Sequence, residues 1–264
     1  MGDKNLISVI IPSEIVNIED WAYANCENLR EIWIPCGCRV SNKAFIRCNN
    51  LSSVHLYQKA SETPVNSYPD LLGLAIRTWC SDTDMLISQA SEDDRFLEYY
   101  DDKLARYLNE PDDKGFKPFL AGGEEDYADE NDEYERYVDQ TRRNKILLIY
   151  ERLCYKSPDQ CLDDDEHIDT TDISHERTST NSSYPDHINQ AYIDYLRSFN
   201  PDISFCILTD RNANTESYQK IYFDLGLDKN VDPEILLGMA GQDTALRAMI
   251  IEHRSSAFND KYIL

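Results

Sequence analysis

Residues 20–35 read DWAYANCENLREIWIP, and residues 42–57 read NKAFIRCNNLSSVHLY, which is the same pattern displaced by 22 positions. The pairs that match at this displacement are Ala22/Ala44, Tyr23/Phe45, Cys26/Cys48, Leu29/Leu51, Ile32/Val54 and Ile34/Leu56. One turn earlier, Leu6, Val9, Ile11 and Pro12 match Leu29, Ile32, Ile34 and Pro35 at a displacement of 23. Repeats of about 20–29 residues with this leucine pattern are typical of a solenoid, in which each repeat adds one strand to a parallel sheet.

The repeat predicts three parallel strands, over residues 6–11, 29–34 and 51–56. Side chains alternate between the two faces of a strand. The side chains predicted to point inward are Val9, Ile11, Ile32, Ile34, Val54 and Leu56. Their neighbours Ile10, Trp33 and His55 then form an outward-facing row, beside a second row of Ser8, Glu31 and Ser53.

The pattern resembles the BspA-like leucine-rich repeats of bacterial surface proteins and protist proteins. In that family a strand ends in Ile-Pro, an aromatic residue follows Ala, and a Cys precedes Leu by two or three residues. The positions that fit are Pro12, Tyr23, Cys26, Pro35, Phe45 and Cys48. The resemblance covers residues 6–57 and departs from the family at Cys36-Gly37-Cys38, where a polar loop without cysteines is usual. An array this short needs a cap, because at least about three repeats are normally required for stability.

The rest of the chain predicts helices, so the fold class is α+β. It consists of a short leucine-rich-repeat solenoid with parallel strands at 1–60, followed by an all-helical domain of stacked helix pairs at 67–264. Helices are predicted to begin at Pro69, near Ser91, near Glu133, at Pro185 and at Asp232, and another ends at Gly226. Residues 236–254 are similar to the antiparallel helix pair of an ankyrin repeat. Residues 111–132 and 156–184 are rich in turn-forming or polar residues, which predicts mobile loops.

The chain has 26 Lys and Arg against 49 Asp and Glu, a net charge of −23. A strongly negative surface repels phosphate, which argues against nucleic acid and anionic membranes as partners. No apolar stretch approaches the roughly 18 residues of a membrane helix, so we expect no membrane insertion. The N-terminus lacks the pattern of a signal peptide, and we predict a cytoplasmic protein, leaving the cell surface and secretion as alternatives.

The cysteines and histidines give no strong sign of chemistry. Cys36 and Cys38 could supply thiolates to zinc with Cys26 and Cys48, but one intervening residue is poor ligand spacing. The acidic run at 163–167 lacks the alternation of a calcium loop. No histidine has an acid or nucleophile nearby in the sequence. We therefore expect no metal, no cofactor and no catalytic residues.

The predicted function is a non-catalytic module that binds an unknown protein or peptide. Its site is the outward row, with Ile10, Glu31, Trp33 and His55 as binding residues, because an outward Trp beside an outward Ile is costly unless covered. The covering could be a partner, or it could be the chain's own helices. The acidic segment 124–139 is a second candidate surface, for a basic partner. The alternative function is a hydrolase-type enzyme, with its site in the helical domain or at the domain junction.

Overall fold

The computed structural model describes residues 2–58, 61–91, 93–116, 127–155, 189–198, 208 and 215–259. They fall into two compact units, Met1–Leu148 and Ile149–Leu264. The first unit contains the repeats and the helices that follow them. The second contains the C-terminal helices.

The repeats form the predicted parallel strands. The strands are β1 (Ser8–Ile10), β2 (Asn17–Ile18), β3 (Glu31–Pro35), β4 (Arg39–Val40), β5 (Ser53–Gln58) and β6 (Ser61–Pro64). The main sheet has the order β1-β3-β5-β6, in which the first three strands are parallel and β6 is antiparallel to β5. Val9 pairs with Ile32 and Ile32 with Val54, so the displacements of 23 and 22 are confirmed. On the other side of the solenoid, β2 and β4 form a second parallel pair.

Five of the six predicted inward positions are buried in the core of the solenoid, and the sixth, Val9, is half-buried. Ile32, Ile34, Val54 and Leu56 are fully buried. Cys26 and Cys48 are also buried, and burial raises the pKa of the Cys48 thiol to about 11. These two cysteines therefore serve as small apolar side chains of successive turns.

Each turn is tied to the next by side-chain hydrogen bonds that repeat with the sequence. The Asn28 amide donates to the carbonyl oxygen of Lys4 at 2.7 Å, and the equivalent Asn50 amide donates to that of Glu27 at 2.7 Å. Asn25 and Arg47 both adopt positive φ, at 62° and 61°. The two turns therefore follow the same backbone path.

A helix closes the C-terminal end of the solenoid, where a cap was expected. Helix α1 (Pro69–Thr78) begins at the predicted proline, and its apolar residues from Leu71 to Ile76 are buried. Gly73 lies directly on the backbone that enters β5, and a Cβ there would be 2.5 Å from the carbonyl oxygen of Ser52. Only glycine allows so close an approach of the helix to the strand.

Asn66 completes the edge of β5. The amide N–H of Leu56 donates to Asn66 Oδ1 at 2.8 Å, and Asn66 Nδ2 donates to the carbonyl oxygen of Val54 at 2.9 Å. The side chain of Asn66 is buried and occupies the place of the next strand's backbone. With β6 pairing to the end of β5, this edge of the sheet is closed.

The first unit continues in three further helices, α2 (Thr83–Ala90), α3 (Asp93–Leu108) and α4 (Tyr127–Cys154), the last of which crosses the boundary between the units. The sequence pattern did not predict α2. It placed the start of α4 near residue 133, so residues 127–132 of the predicted loop are helical instead.

A buried charge cluster lies within this unit. The Lys145 ammonium is fully buried and contacts Asp112 Oδ1 at 2.7 Å and the carbonyl oxygen of Glu110 at 2.6 Å. The Arg142 guanidinium contacts the other oxygen of Asp112 at 2.9 Å. Burial alone would raise the pKa of Asp112, but the hydrogen bonds from Lys145 and Arg142 outweigh it, so the pKa is lowered.

The second unit contains α5 (Asn189–Ser198), α6 (Thr215–Asp224), α7 (Pro233–Met239) and α8 (Thr244–Asn259). Gly226 follows α6 with φ 64°, and Asp232 caps α7 by accepting from the amide N–H of Glu234. The predicted ends at Gly226 and Asp232 are therefore confirmed. The ankyrin-like character of residues 236–254 stays a prediction. The predicted loop at 156–184 and the helix start at Pro185 lie outside the described residues.

The compact units differ from the predicted segments 1–60 and 67–264, because α1 packs on β5 and joins the first helices to the repeats. The division of the chain into a repeat domain and a helical domain at these boundaries stays a prediction. Among the described residues, no helix is long and apolar enough to cross a membrane.

We expect Asn66→Ala to lower the free energy of unfolding by about 2–4 kcal/mol, because it leaves the Leu56 N–H and the Val54 carbonyl without partners in a buried position. Urea unfolding followed by circular dichroism measures the change. Asn50→Ala is the matched control, since it removes one exposed hydrogen bond and should cost about 1 kcal/mol. Equal costs for the two variants would contradict the assigned role of Asn66.

Asp112→Asn should cost about 3–5 kcal/mol at neutral pH, because it removes the negative charge that contacts the buried Lys145 ammonium and the Arg142 guanidinium. Asp112 has a lowered pKa, so the stability it contributes is present above the pKa of the unfolded carboxyl and is lost as the pH falls through the folded value. The difference in the free energy of unfolding between wild type and Asp112→Asn should therefore become smaller below about pH 4. Glu110→Gln, which affects only the exposed pair with Lys114, is the control. If this difference does not change with pH, the charge of Asp112 is not what stabilises the cluster.

Candidate protein-binding face

The four predicted site residues come together on the outer face of the main sheet. Ile10, Trp33 and His55 lie side by side on β1, β3 and β5, because the strand register pairs Ile10 with Trp33 and Trp33 with His55. Glu31 stands two residues before Trp33 on the same strand face. The outward row predicted from the alternation is therefore present.

Three of the four side chains form one connected group. The rings of Trp33 and His55 are stacked, with centroids 4.4 Å apart and planes inclined by 19°. Trp33 Nε1 donates to Glu31 Oε1 at 2.8 Å, and His55 Nε2 lies 3.2 Å from the same oxygen. One carboxylate oxygen thus orients both rings, which fixes their rotamers before any partner arrives.

The stacking determines which part of the indole is presented. Neighbouring strands lie about 4.8 Å apart, close to the centroid separation of the two rings. The rings therefore stand on edge and stack along the direction from strand to strand. One face of the indole is covered by His55, and the other looks toward Ile10 on β1. The face therefore presents the indole edge, the Glu31 carboxylate and the Ile10 side chain.

The outer row is open to solvent at its β1 end. Ile10 is 69% exposed, and Trp33 and His55 are partly exposed. Helix α1 packs at the β5 end of the array, where its Asp70 accepts a hydrogen bond from Ser53 of the second outward row. The Ile10 side chain is thus open at the β1 end, whereas one face of the Trp33 ring is covered by His55.

Acidic groups surround the row. Besides Glu31, the Asp70 carboxylate accepts a hydrogen bond from the Ser53 hydroxyl at the β5 end. Burial and the nearby Glu14 carboxylate raise the pKa of Tyr57, whose hydroxyl donates to the carbonyl oxygen of Ile11. The repeat pattern missed Asp70 and Glu14, because neither belongs to a repeated strand position.

The cysteines of the repeats do not meet as a metal site. Cys26, Cys36, Cys38 and Cys48 are free thiols. Cys36 is exposed whereas Cys38 is buried, and burial raises the pKa of both thiols. Within the part of the chain that the structure describes, no cluster of three or more His, Cys, Asp or Glu could hold a metal ion.

Two features bear on the alternative of an enzyme. In the second unit His253 Nδ1 lies 3.2 Å from the buried Asp228 carboxylate, a pair that the sequence did not reveal. Arg254 also contacts Asp228 and the carbonyl oxygen of Val231, so the pair ties α8 to the preceding turn. In the first unit an open cleft of about 370 Å³ is lined by Asn17, Ile18, Glu19, Arg39, Val40, Ser41, Asn42 and Asp84. Its Asp84 is occupied in binding the amide N–H of Val40 at 3.1 Å.

Comparison with known proteins identifies the repeats. A family profile described as BspA type Leucine rich repeat region (6 copies) matches residues 2–72. Residues 2–72 are a BspA-type leucine-rich repeat region. The match extends into α1, which follows the last repeat where a further turn would stand. Leucine-rich repeats generally mediate protein–protein interactions. Searches of curated proteins and of solved structures found no match to the chain.

Trp33→Ala should lower the free energy of unfolding by about 1–2 kcal/mol, because it removes one hydrogen bond and one ring stack from a half-open site. This value lies between the roughly 3–5 kcal/mol of a fully buried Trp and the roughly 0.5 kcal/mol of an open surface residue. Denaturant unfolding followed by circular dichroism measures it. Trp21→Ala, at an exposed Trp of the same repeats, should change stability by only about 0.5 kcal/mol. A loss of about 3–5 kcal/mol would instead mean that the face is covered.

Proposed function

We propose that the chain is a non-catalytic protein-binding module and that its binding site is the outer face formed by Ile10, Glu31, Trp33 and His55. The observation that carries the proposal is the preorganised group in which Glu31 holds Trp33 and His55 beside the exposed Ile10. Interface residues that dominate binding are enriched in Trp, and rigid side chains lose little entropy on binding. The family of the repeats supports protein as the partner class.

The chemistry of the face favours an extended segment with an apolar and a basic side chain. Ile10 and the indole edge offer an apolar contact. Glu31 Oε1 is engaged with Trp33 and His55, while its carboxylate remains partly exposed toward solvent. Asp70 and Glu14 add negative charge at the rim, which raises the association rate of a cationic partner.

We propose that nucleic acid and anionic membrane surfaces are not partners of this chain, because a net charge of −23 repels both. The proposed compartment is the cytoplasm. The exposed free thiol of Cys36 supports a reducing compartment.

The alternative of a hydrolase has one observation in its favour, the Asp228–His253 pair. We give it second place because Asp228 is already engaged by Arg254. Loss of a measured hydrolytic activity in His253→Gln, with Trp33→Ala unaffected, would reverse the order of the two proposals.

The test of the binding proposal compares proteins captured by the immobilised full chain with those captured by Trp33→Ala and Trp21→Ala. We expect a partner that wild type and Trp21→Ala retain and that Trp33→Ala loses. Titration calorimetry with the purified partner should then show a loss of about 2 kcal/mol or more for Trp33→Ala, the size of a central hot spot. If every captured protein binds Trp33→Ala as well as wild type, the outer face is not the site.

A further inference from the structure

The N-terminal end of the solenoid exposes positions that are buried in the following turn. Register places Val16 opposite Cys38, because the amide N–H of Arg39 donates to the carbonyl oxygen of Val16 at 2.9 Å. Val16 is 66% exposed, whereas Cys38 is 6% exposed. Ala22 is likewise exposed, while its equivalent Ala44 is fully buried. Val16 and Ala22 are thus exposed at this end, whereas Ile11, Ile18 and Cys26 of the same turn are buried.

The backbone of β1 is open at the same end. Within the part of the chain that the structure describes, β3 is the one strand that pairs with β1 in the main sheet. The carbonyl oxygen of Ile7 accepts from Arg30, and the amide N–H of Ile11 donates to Trp33, so residues 7, 9 and 11 direct their backbone groups toward β3. Because these directions alternate along a strand, Ser8 and Ile10 direct theirs toward the open edge. The opposite edge of the sheet, in contrast, is closed by β6 and Asn66.

This open edge is complementary to itself. Two β1 strands related by a two-fold axis at Val9 run antiparallel, with Ser8 of one copy opposite Ile10 of the other. In an antiparallel ladder, every second pair of opposite residues is joined by two backbone hydrogen bonds. Ser8 and Ile10 are the residues with outward groups, so every outward group between Ser8 and Ile10 finds a partner in the second copy.

Charge does not oppose this contact locally. Residues 1–58 contain five basic and six acidic residues, so residues 59–264 carry 22 of the 23 net negative charges. Lys4 pairs with Glu27, and Lys43 with Asp20, within the repeats. In the first unit, α1 packs at the β5 end of the array, the end away from β1. Contact through β1 therefore joins the least charged part of two copies.

We propose that the N-terminal end of the solenoid is a homodimer interface, in which two copies pair β1 with β1 across a two-fold axis and cover Val16 and Ala22. The interface joins two main sheets into one continuous sheet and buries the exposed Val16 and Ala22 of both first turns. This is an isologous contact, the usual form for a dimer of identical chains. It does not depend on the proposed function of the outer face.

Analytical ultracentrifugation of the full chain over a wide range of concentration tests the proposal. We expect a reversible monomer–dimer equilibrium in wild type. Val16→Lys and Ala22→Lys should each raise the dimer dissociation constant by at least about tenfold, because they place a charge in the buried contact. Ser8→Pro, which removes one outward N–H and is tolerated at an edge strand, should act in the same direction.

Ile235→Lys is the matched control. Ile235 is an exposed isoleucine of α7 in the second unit, and the variant changes the net charge by the same single unit as the two lysine variants. It should leave the dissociation constant unchanged. Circular dichroism confirms that each variant is folded, and the exposed positions chosen make this the expected result.

A wild-type chain that stays monomeric up to its highest soluble concentration overturns the proposal and leaves the open end to a different partner. A dimer that Ile235→Lys weakens as much as Val16→Lys also overturns it. The same holds for a dimer that survives Val16→Lys, Ala22→Lys and Ser8→Pro unchanged, since a different surface would then form it.

Discussion

The structure depends on the fact that one turn of a leucine-rich solenoid cannot bury its own apolar face. Ile32 is fully buried only because a turn lies on each side of it, one containing Val9 and one containing Val54. Each end of such an array therefore needs a different solution. At the C-terminal end, α1 and Asn66 replace the missing turn with a helix and one side-chain amide.

The outer face follows from the same stacking. Parallel strands in register bring equivalent positions of successive turns within contact, so a Trp in one turn and a His in the next become a stacked pair. Glu31 is two residues from Trp33, so a single carboxylate can reach the Trp and, one strand away, the His. A binding site made in this way needs no pocket. Its rigidity comes from the sheet.

The sequence predicted the features that repeat and missed those that depend on distant contacts. The sequence was sufficient to predict the three strands, their displacements and the outward row, because strand alternation and a fixed period determine them. The need for a cap could also be predicted. The role of Asn66 could not, because nothing in the local sequence indicates that this Asn will lie against β5. The pairs Glu31–His55 and Asp228–His253 were missed for a related reason, since their partners lie 24 and 25 residues apart in the chain.

Negative charge is distributed unevenly along the chain, and this affects which surfaces can make contacts. The nearly neutral repeats carry the outer row and the exposed apolar residues of the N-terminal end, while the strongly acidic segments follow them in the chain. Dense negative charge keeps a chain soluble and disfavours contacts between like surfaces. A protein of this composition can therefore expose apolar residues such as Ile10 and Val16 without general aggregation, because most approaches of a second copy bring acidic surfaces together. The contacts that remain favourable are those made through the repeats.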